Sequence, residues 1–258
     1  MSKSKPLLSS TLGKKLIMSL TGIFLCTFLV VHLIGNLQLF KEDDGYAFNE
    51  YAHFMTTFAP IKVVSIVLYL TFIVHAVYAL VITVRNKKAR PVGYKVSSGN
   101  ANSAWNSRNM GILGTIILVF LVTHMQNFWW KYHYSEMPYV QYEENLNSQE
   151  VTTTVLSADD FQNYSVSYPE SNIKLTKSKD LYQQVNYAFE NIWLVLLYVI
   201  AMAALAFHLI HGFQSAFQSL GFNHRKYIGI IKFLGIWVFG IIIPIAFAAI
   251  PLYIYFVR

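Results

Sequence analysis

Four of the eight histidines in this 258-residue sequence lie deep inside stretches that carry no Asp, Glu, Lys or Arg. His32 falls within 16–40, His75 within 63–84, His124 within 110–130 and His208 within 192–217. Each stretch reaches the roughly 20 residues that a bilayer-spanning helix needs. A fifth, 233–257, contains Pro244 and Pro251 but no histidine, which leaves it a packing role. An imidazole in hydrocarbon is costly unless something uses it, and a neutral imidazole is a good ligand for a metal. Around His208 the sequence also makes room. Ala204 and Gly212 lie four residues to either side, on the same helix face, so a flat, bulky group could lie there against the backbone. His211, three residues on, shares that face and is the rival ligand on this helix. The single cysteine, Cys26, lies in an apolar run, so neither a disulfide framework nor a thiolate metal site is expected.

The elements that must position these residues follow from composition. The chain is 55% hydrophobic and only 13% charged, against about 25% charged in a soluble domain. The expected class is an all-α integral membrane protein, a single membrane domain over 1–258 with five transmembrane helices at about 16–40, 63–84, 110–130, 192–217 and 233–257. The first four would form the histidine-bearing bundle. The first run is too long for a cleaved signal peptide and no small-residue cleavage site follows it, so it is expected to stay as a helix. The net charge of +7 does not point to nucleic acid, because the charges are segregated. The N-terminus, the 85–109 loop and the 218–232 turn hold thirteen of the twenty Lys and Arg and none of the thirteen Asp and Glu. These segments alternate with the others along the chain and so share one side of the bilayer. The positive-inside rule assigns that side to the cytoplasm and the C-terminus to the opposite side.

Orientation gives each histidine a depth. At 1.5 Å per residue, His75 and His208 are both roughly 14 Å from the cytoplasmic ends of their runs, while His32 is about 24 Å and His124 about 21 Å from theirs. The four therefore form two layers, His75 with His208 and His32 with His124. A lone membrane histidine is commonly an interhelical hydrogen-bonder. Four on four helices, matched in depth two by two, point instead to axial ligation of two haem irons, an inner one and an outer one. Gly22 and Gly114, ten residues before His32 and His124, fall near the depth of the inner layer, where they either make room for a haem or serve as packing glycines.

The remaining polar segments are few. Residues 132–188 form a long extracytoplasmic loop with eight acids and three lysines, in which 151–156 could be a strand of a small hairpin; a connection of this length is usually ordered or functional. His133 lies in it and His224 in a cytoplasmic turn, both expected at the surface. Segment 41–62 follows directly from the His32 helix. If 47–58 forms a short amphipathic surface helix, Glu50 and His53 lie one turn apart on it.

Together these residues resemble the cytochrome b membrane-anchor subunit of succinate:quinone oxidoreductases (succinate dehydrogenase and fumarate reductase, respiratory complex II), in its single-chain, five-helix, two-haem form. The resemblance covers nearly the whole chain and rests on several short motifs. They are Ser19-Leu-Thr-Gly22 with His32-Leu-Ile-Gly-Asn36, Phe72-Ile-Val-His75-Ala-Val-Tyr78, Asn86-Lys-Lys-Ala-Arg90-Pro91, Ser107-Arg108 with His124, and His208-Leu-Ile-His-Gly212. In that family a glycine follows the fourth-helix ligand at the fourth position, which selects His208 over His211.

The resemblance implies two b haems, the inner on His75 and His208 and the outer on His32 and His124. It also implies flavoprotein and iron–sulfur subunits on the cytoplasmic face of a bacterial inner membrane. Electrons from succinate would pass through both haems to a quinone, menaquinone by type, and a higher-order oligomer of the complex is left open. Quinone would bind beside the outer haem, with Glu50 and His53 as candidate proton-exchanging groups. Related enzymes place an essential Glu in this region, at a spacing from the first-helix ligand that does not fall on Glu50. Where some relatives carry a proton-conducting Glu two residues before the fourth-helix ligand, this chain has Ala206. The alternatives are the quinone-reactive cytochrome b of a hydrogenase or formate dehydrogenase, and a haem-free membrane transporter. The charge pattern makes one prediction independent of cofactor. In intact cells an impermeant reagent should label a C-terminal tag and spare a tag in the 85–109 loop; labelling of that loop from outside would reverse the topology.

Overall fold

The computed structural model describes residues 10–89 and 103–258. Lys3, Lys5, Arg90, Pro91 and Lys95, which contribute to the charge pattern and the motifs above, lie outside the described residues. Five helical stretches are long and apolar enough to cross a membrane: Thr11–Phe40, Ala59–Lys88, Met110–Tyr134, Ile192–Ser219 and Arg225–Val257. Each contains the corresponding charge-free run and most extend beyond it, because helix geometry continues through end charges such as Lys14, Lys62, Arg85 and Lys131. On helix α3 (Ala59–Lys88), Ile66, Leu70, Ile73, Val77, Leu80 and Val84 form an exposed stripe at alternating spacings of three and four. That stripe would be costly in water and is the normal lipid-facing surface of a spanning helix.

The chain divides into two compact units. The first comprises Met1–Val31, Val64–Phe120 and Tyr198–Ala248. It takes in most of α1 (Thr11–Asn36) and of α3, the short α4 (Trp105–Arg108), α5 (Met110–His124) up to Phe120, α8 (Ile192–Ser219) from Tyr198, and α9 (Arg225–Phe233). Its core is a stripe on α8, Ala201, Met202, Leu205, Leu209 and Phe213, packed with Cys26 of α1. A π-helical stretch, Leu234–Ile242, follows α9 and ends two residues before Pro244, whose ring and missing N–H disturb the preceding turn. Its glycines let it pack closely on α8. A Cβ on Gly235 would sit 3.1 Å from the Phe213 ring, and one on Gly240 would run into Ile210. Phe213 stacks on Phe239 across this contact, with ring centroids 4.6 Å apart.

The second unit comprises His32–Val63, Leu121–Leu197 and Ala249–Arg258. Here the structure corrects the all-α expectation. Segment 132–188 folds into a four-stranded antiparallel sheet, β1 (Tyr139–Asn145), β2 (Val151–Leu156), β3 (Ser165–Glu170) and β4 (Ile173–Lys179), in the order β2-β1-β4-β3. Val151–Leu156 is a strand as expected; the other three were not foreseen. In β1 and β4 the inward positions alternate, but half of them are polar. Val140 and Tyr142 of β1 lie opposite Ser178 and Thr176 of β4, and all four are buried.

The sheet is held to α2 (Tyr46–Thr57), which occupies almost the span expected for the short surface helix. Asp43 starts α2 by accepting from Gly45 N at 3.1 Å and Ala47 N at 3.0 Å. Gly45 is left-handed, with φ of 84°, and Tyr182 of α7 (Leu181–Phe189) fills the space a side chain would need. At the centre lies Asn49, 1% exposed. Its amide donates to the Tyr142 hydroxyl at 2.7 Å and to Asp180 Oδ1 at 2.9 Å, and its carbonyl accepts from Tyr182 N at 3.0 Å. One side chain thus ties α2 to β1, to the Asp180 cap of α7 and to the α7 backbone. Asn49→Ala takes one hydrogen bond each from a buried carboxylate, a buried phenol and the Tyr182 amide, and should destabilise this part of the fold by about 3 kcal/mol. Faster amide exchange in β1, β4 and α7 is the expected readout; unchanged exchange would show the bonds to be dispensable.

Candidate functional site

The four deep histidines come together as two pairs. In the first unit, His75 of α3 faces His208 of α8 with ring centroids 6.3 Å apart and planes at 60°. In the second, His32 of α1 faces His124 of α5 at 5.7 Å and 89°. These are the pairs that helix depth selects. Two nitrogens on opposite sides of one metal ion, each at the about 2.0–2.1 Å of a histidine–metal bond and about 1.1 Å from its ring centre, set ring centroids about 6.3 Å apart. The first pair has that separation and the second is slightly tighter. Among the described residues no three His, Cys, Asp or Glu side chains converge. Each pair consists of two imidazoles contributed by two different helices.

Local contacts prepare the first pair. The Thr21 hydroxyl lies 2.9 Å from His75 Nδ1 and 2.7 Å from the carbonyl oxygen of Ile17. With its one hydrogen on that nearer carbonyl, the hydroxyl is placed to accept from Nδ1–H of His75. This leaves the Nε2 lone pair free to bind a metal, the second-sphere arrangement that fixes a ligand's tautomer. His208 Nδ1 is shielded from solvent and has no hydrogen-bond partner. A buried polar atom left unsatisfied costs about 1–3 kcal/mol. Gly22, Gly114 and Gly212 border the pair. A Cβ on Gly22 would lie 3.7 Å from His75 Cε1, and Cβ atoms on Gly114 and Gly212 would each lie 4.0 Å from the His208 ring. His211 is half-buried on the same helix and makes no part of the facing pair.

Around the second pair, the Asn36 amide donates to His32 O at 2.8 Å and Phe128 packs edge-on to His124 at 5.4 Å. Immediately after His124 the helix widens into a π turn, Met125–Trp130, a distortion frequent at functional positions. One turn beyond His32, Gly35 is covered by the ring of Tyr51, where a Cβ would collide. This seats α2 against the end of α1 that carries His32.

Glu50 and His53 flank Tyr51 on α2, and neither is simply solvated. The Tyr164 hydroxyl donates to Glu50 Oε1 at 2.9 Å. The same ring lies flat on the His53 imidazole, with centroids 3.5 Å apart and planes within 8°. Alongside, Lys174 Nζ donates to the Tyr46 hydroxyl at 2.6 Å, and Tyr46 donates to Glu144 Oε2 at 2.9 Å. Burial pushes the Tyr164 phenol above its usual range, and the bond to Glu50 pushes it further. Burial works against the Lys174 ammonium, but Tyr46, Glu144 and Glu50 hold its proton affinity above the ordinary value. Two surface cavities lie elsewhere in this unit. An apolar one of about 490 Å³ runs along Leu121–Trp130, and one of about 500 Å³ lies between Asn127 and Leu194.

Sequence reasoning identified the four histidines, Glu50 and His53, but not the roles of Thr21, Tyr51 or Tyr164. Thr21 was visible only as part of the Ser19–Gly22 motif. Tyr164 is 114 residues from Glu50 in a polar stretch and carries no local signal. No family model matches the chain, and neither a curated protein nor a solved structure shows significant similarity to it. Burial lowers the proton affinity of His53, and the charge of Glu50 partly restores it. Glu50→Gln should therefore lower the His53 pKa further, as read by histidine-ring NMR across its titration; an upward shift would contradict this electrostatic pairing.

Proposed function

We propose that this chain is a dihaem cytochrome b, the membrane-anchor subunit of a succinate:quinone oxidoreductase. The observation that supports the reading is the two facing histidine pairs, each contributed by two different helices, with ring centroids 6.3 and 5.7 Å apart. Bound haem b would supply one-electron chemistry between a protein donor and a quinone of the menaquinone type. The chain's own residues do the rest. His75 and His208 hold the inner group and His32 and His124 the outer. Thr21 keeps His75 in the ligating tautomer, and Gly22, Gly114 and Gly212 keep side chains away from the inner rings. Glu50 and His53 offer exchangeable protons one helical turn apart, beside the end of α1 that carries His32, and reducing a quinone needs such groups within reach of its ring.

The charge pattern and the resemblance support the setting: a bacterial inner membrane, N-terminus cytoplasmic, with flavoprotein and iron–sulfur subunits docking on the basic cytoplasmic face. Haem counted on the purified protein should give two per chain, and His208→Ala should reduce it to one, leaving the spectrum of the other intact. A count near zero overturns the reading. A single haem in the unaltered protein removes one pair from it, and loss of haem in His211→Ala but not His208→Ala would transfer the ligand role to His211. Co-purification of a flavoprotein separates this subunit from the cytochrome b of a hydrogenase or formate dehydrogenase.

A further inference from the structure

The sheet-bearing segment reaches α2 through the Asn49 network, through Glu144 and Lys174 at Tyr46, and through the connection between β2 and β3, which ends in Tyr164. This connection is tethered internally: Phe161 stacks on Tyr139 of β1 with centroids 4.3 Å apart, Ser157 Oγ donates to Asp160 Oδ2 at 2.6 Å, and Lys177 of β4 donates to Asp160 O at 3.4 Å. Ser165, the next residue, is already paired with Lys177 in the sheet. Tyr164 is therefore presented by a fixed frame. Its one ring contacts both functional candidates on α2, donating to Glu50 at its hydroxyl and covering His53 with its face.

We propose that Tyr164 is a positioning residue of the α2 site, which orients the Glu50 carboxylate and shields one face of the His53 imidazole, so that segment 132–188 forms one wall of a quinone-binding site. This rests on the quinone reading given above and extends it to a region that the spanning helices do not supply. Two contacts to two chemically different groups distinguish Tyr164 from packing. A hydroxyl that donates to one carboxylate oxygen restricts the directions in which that carboxylate can meet a ligand, and a parallel ring removes water from one side of an imidazole while its edge nitrogens remain available. The charged and titratable groups bearing on the pair are Tyr164 itself, Lys174 of β4, and Tyr46 of α2 with Glu144 of β1 behind it.

Two variants separate the contacts. Tyr164→Phe keeps the ring and loses the hydroxyl; Tyr164→Ala loses both. The protein is purified full-length with its haems, and an unchanged haem spectrum verifies the bundle. His53 is then titrated by ring NMR, and reduction of the haems by a short-chain naphthoquinol is followed by stopped flow from about pH 5 to 8, the range in which imidazole changes charge. Tyr164→Ala should raise the His53 pKa toward its ordinary value and Tyr164→Phe should leave it in place. Tyr164→Phe should slow the naphthoquinol reaction about tenfold, the loss expected for one hydrogen bond to a charged group. Tyr164→Ala should slow it at least as much and shift its pH profile in the direction His53 moves.

An unmoved His53 titration in Tyr164→Ala overturns the proposal. So does a naphthoquinol reaction that is unaffected in both variants. In that case Glu50→Gln decides what else falls. If Glu50→Gln slows the reaction, the site on α2 stands without Tyr164; if it does not, quinone does not react at α2.

Discussion

Hydrocarbon offers no hydrogen bonds, and every polar group that enters it must bring a partner. The spanning helices obey this residue by residue. Ser19, Thr21, Thr27 and Thr115 each return a hydroxyl to the carbonyl four residues earlier, at 2.7–3.1 Å. The four deep histidines meet instead in pairs, His75 with His208 and His32 with His124. Helix α8, the most buried of the spans, lines one such pair with alanine and glycine where larger residues would otherwise pack.

Segment 132–188 works under the opposite rule. There order comes largely from buried polar side chains that bond one another. Asn49 uses both ends of its amide, and Asp180 accepts from Asn49 and from Gln183 N at 2.9 Å each. The Tyr142 hydroxyl accepts from Asn49 and donates to Asp44 O at 3.3 Å. A network this complete is specific in a way that apolar contact is not, since shifting β1 by one residue would expel Tyr142 and leave Asn49 unpaired. At the other end of the unit Arg258 plays a similar part. It donates to Leu39 O at 2.7 Å and lies over the rings of Tyr182 and Tyr253, 5.0 and 5.3 Å from their centres. The turn after α1, helix α7 and the end of α10 (Ile243–Val257) are thereby held by one guanidinium.

Within the second unit these two regimes meet on α2. Its apolar and aromatic side, through Tyr51 over Gly35, belongs with the spanning helices. Its polar side, through Asn49 and Glu50, belongs with the sheet. On the function proposed above, Glu50 and His53 lie beside both sides of this helix, where a lipid-soluble ligand that exchanges protons would be handled. The chemistry suggested for the site follows from that position as much as from the residue types.

By itself the sequence determined the features that depend on local composition. Five apolar runs, the position of each histidine along its run, the segregation of the charge along the chain and the short helix after the first run are all local or additive properties, and a uniform 1.5 Å rise converts residue number into distance along a helix. That was enough to match His75 with His208 and His32 with His124 before any contact was known. Tertiary structure alone decided the sheet and what it touches. Its inward strand positions include Thr176 and Ser178, which carry no hydrophobic period, and β1 finds β4 only through residues such as Tyr142 and Thr176 that lie far apart in the chain. Thr21 became a partner of His75, and Tyr164 a partner of Glu50 and His53, across separations of 54 and 114 residues. Such contacts are set by how the chain closes on itself. A hydroxyl on a polar loop or an apolar helix looks the same in sequence whether or not a distant imidazole or carboxylate will come to meet it.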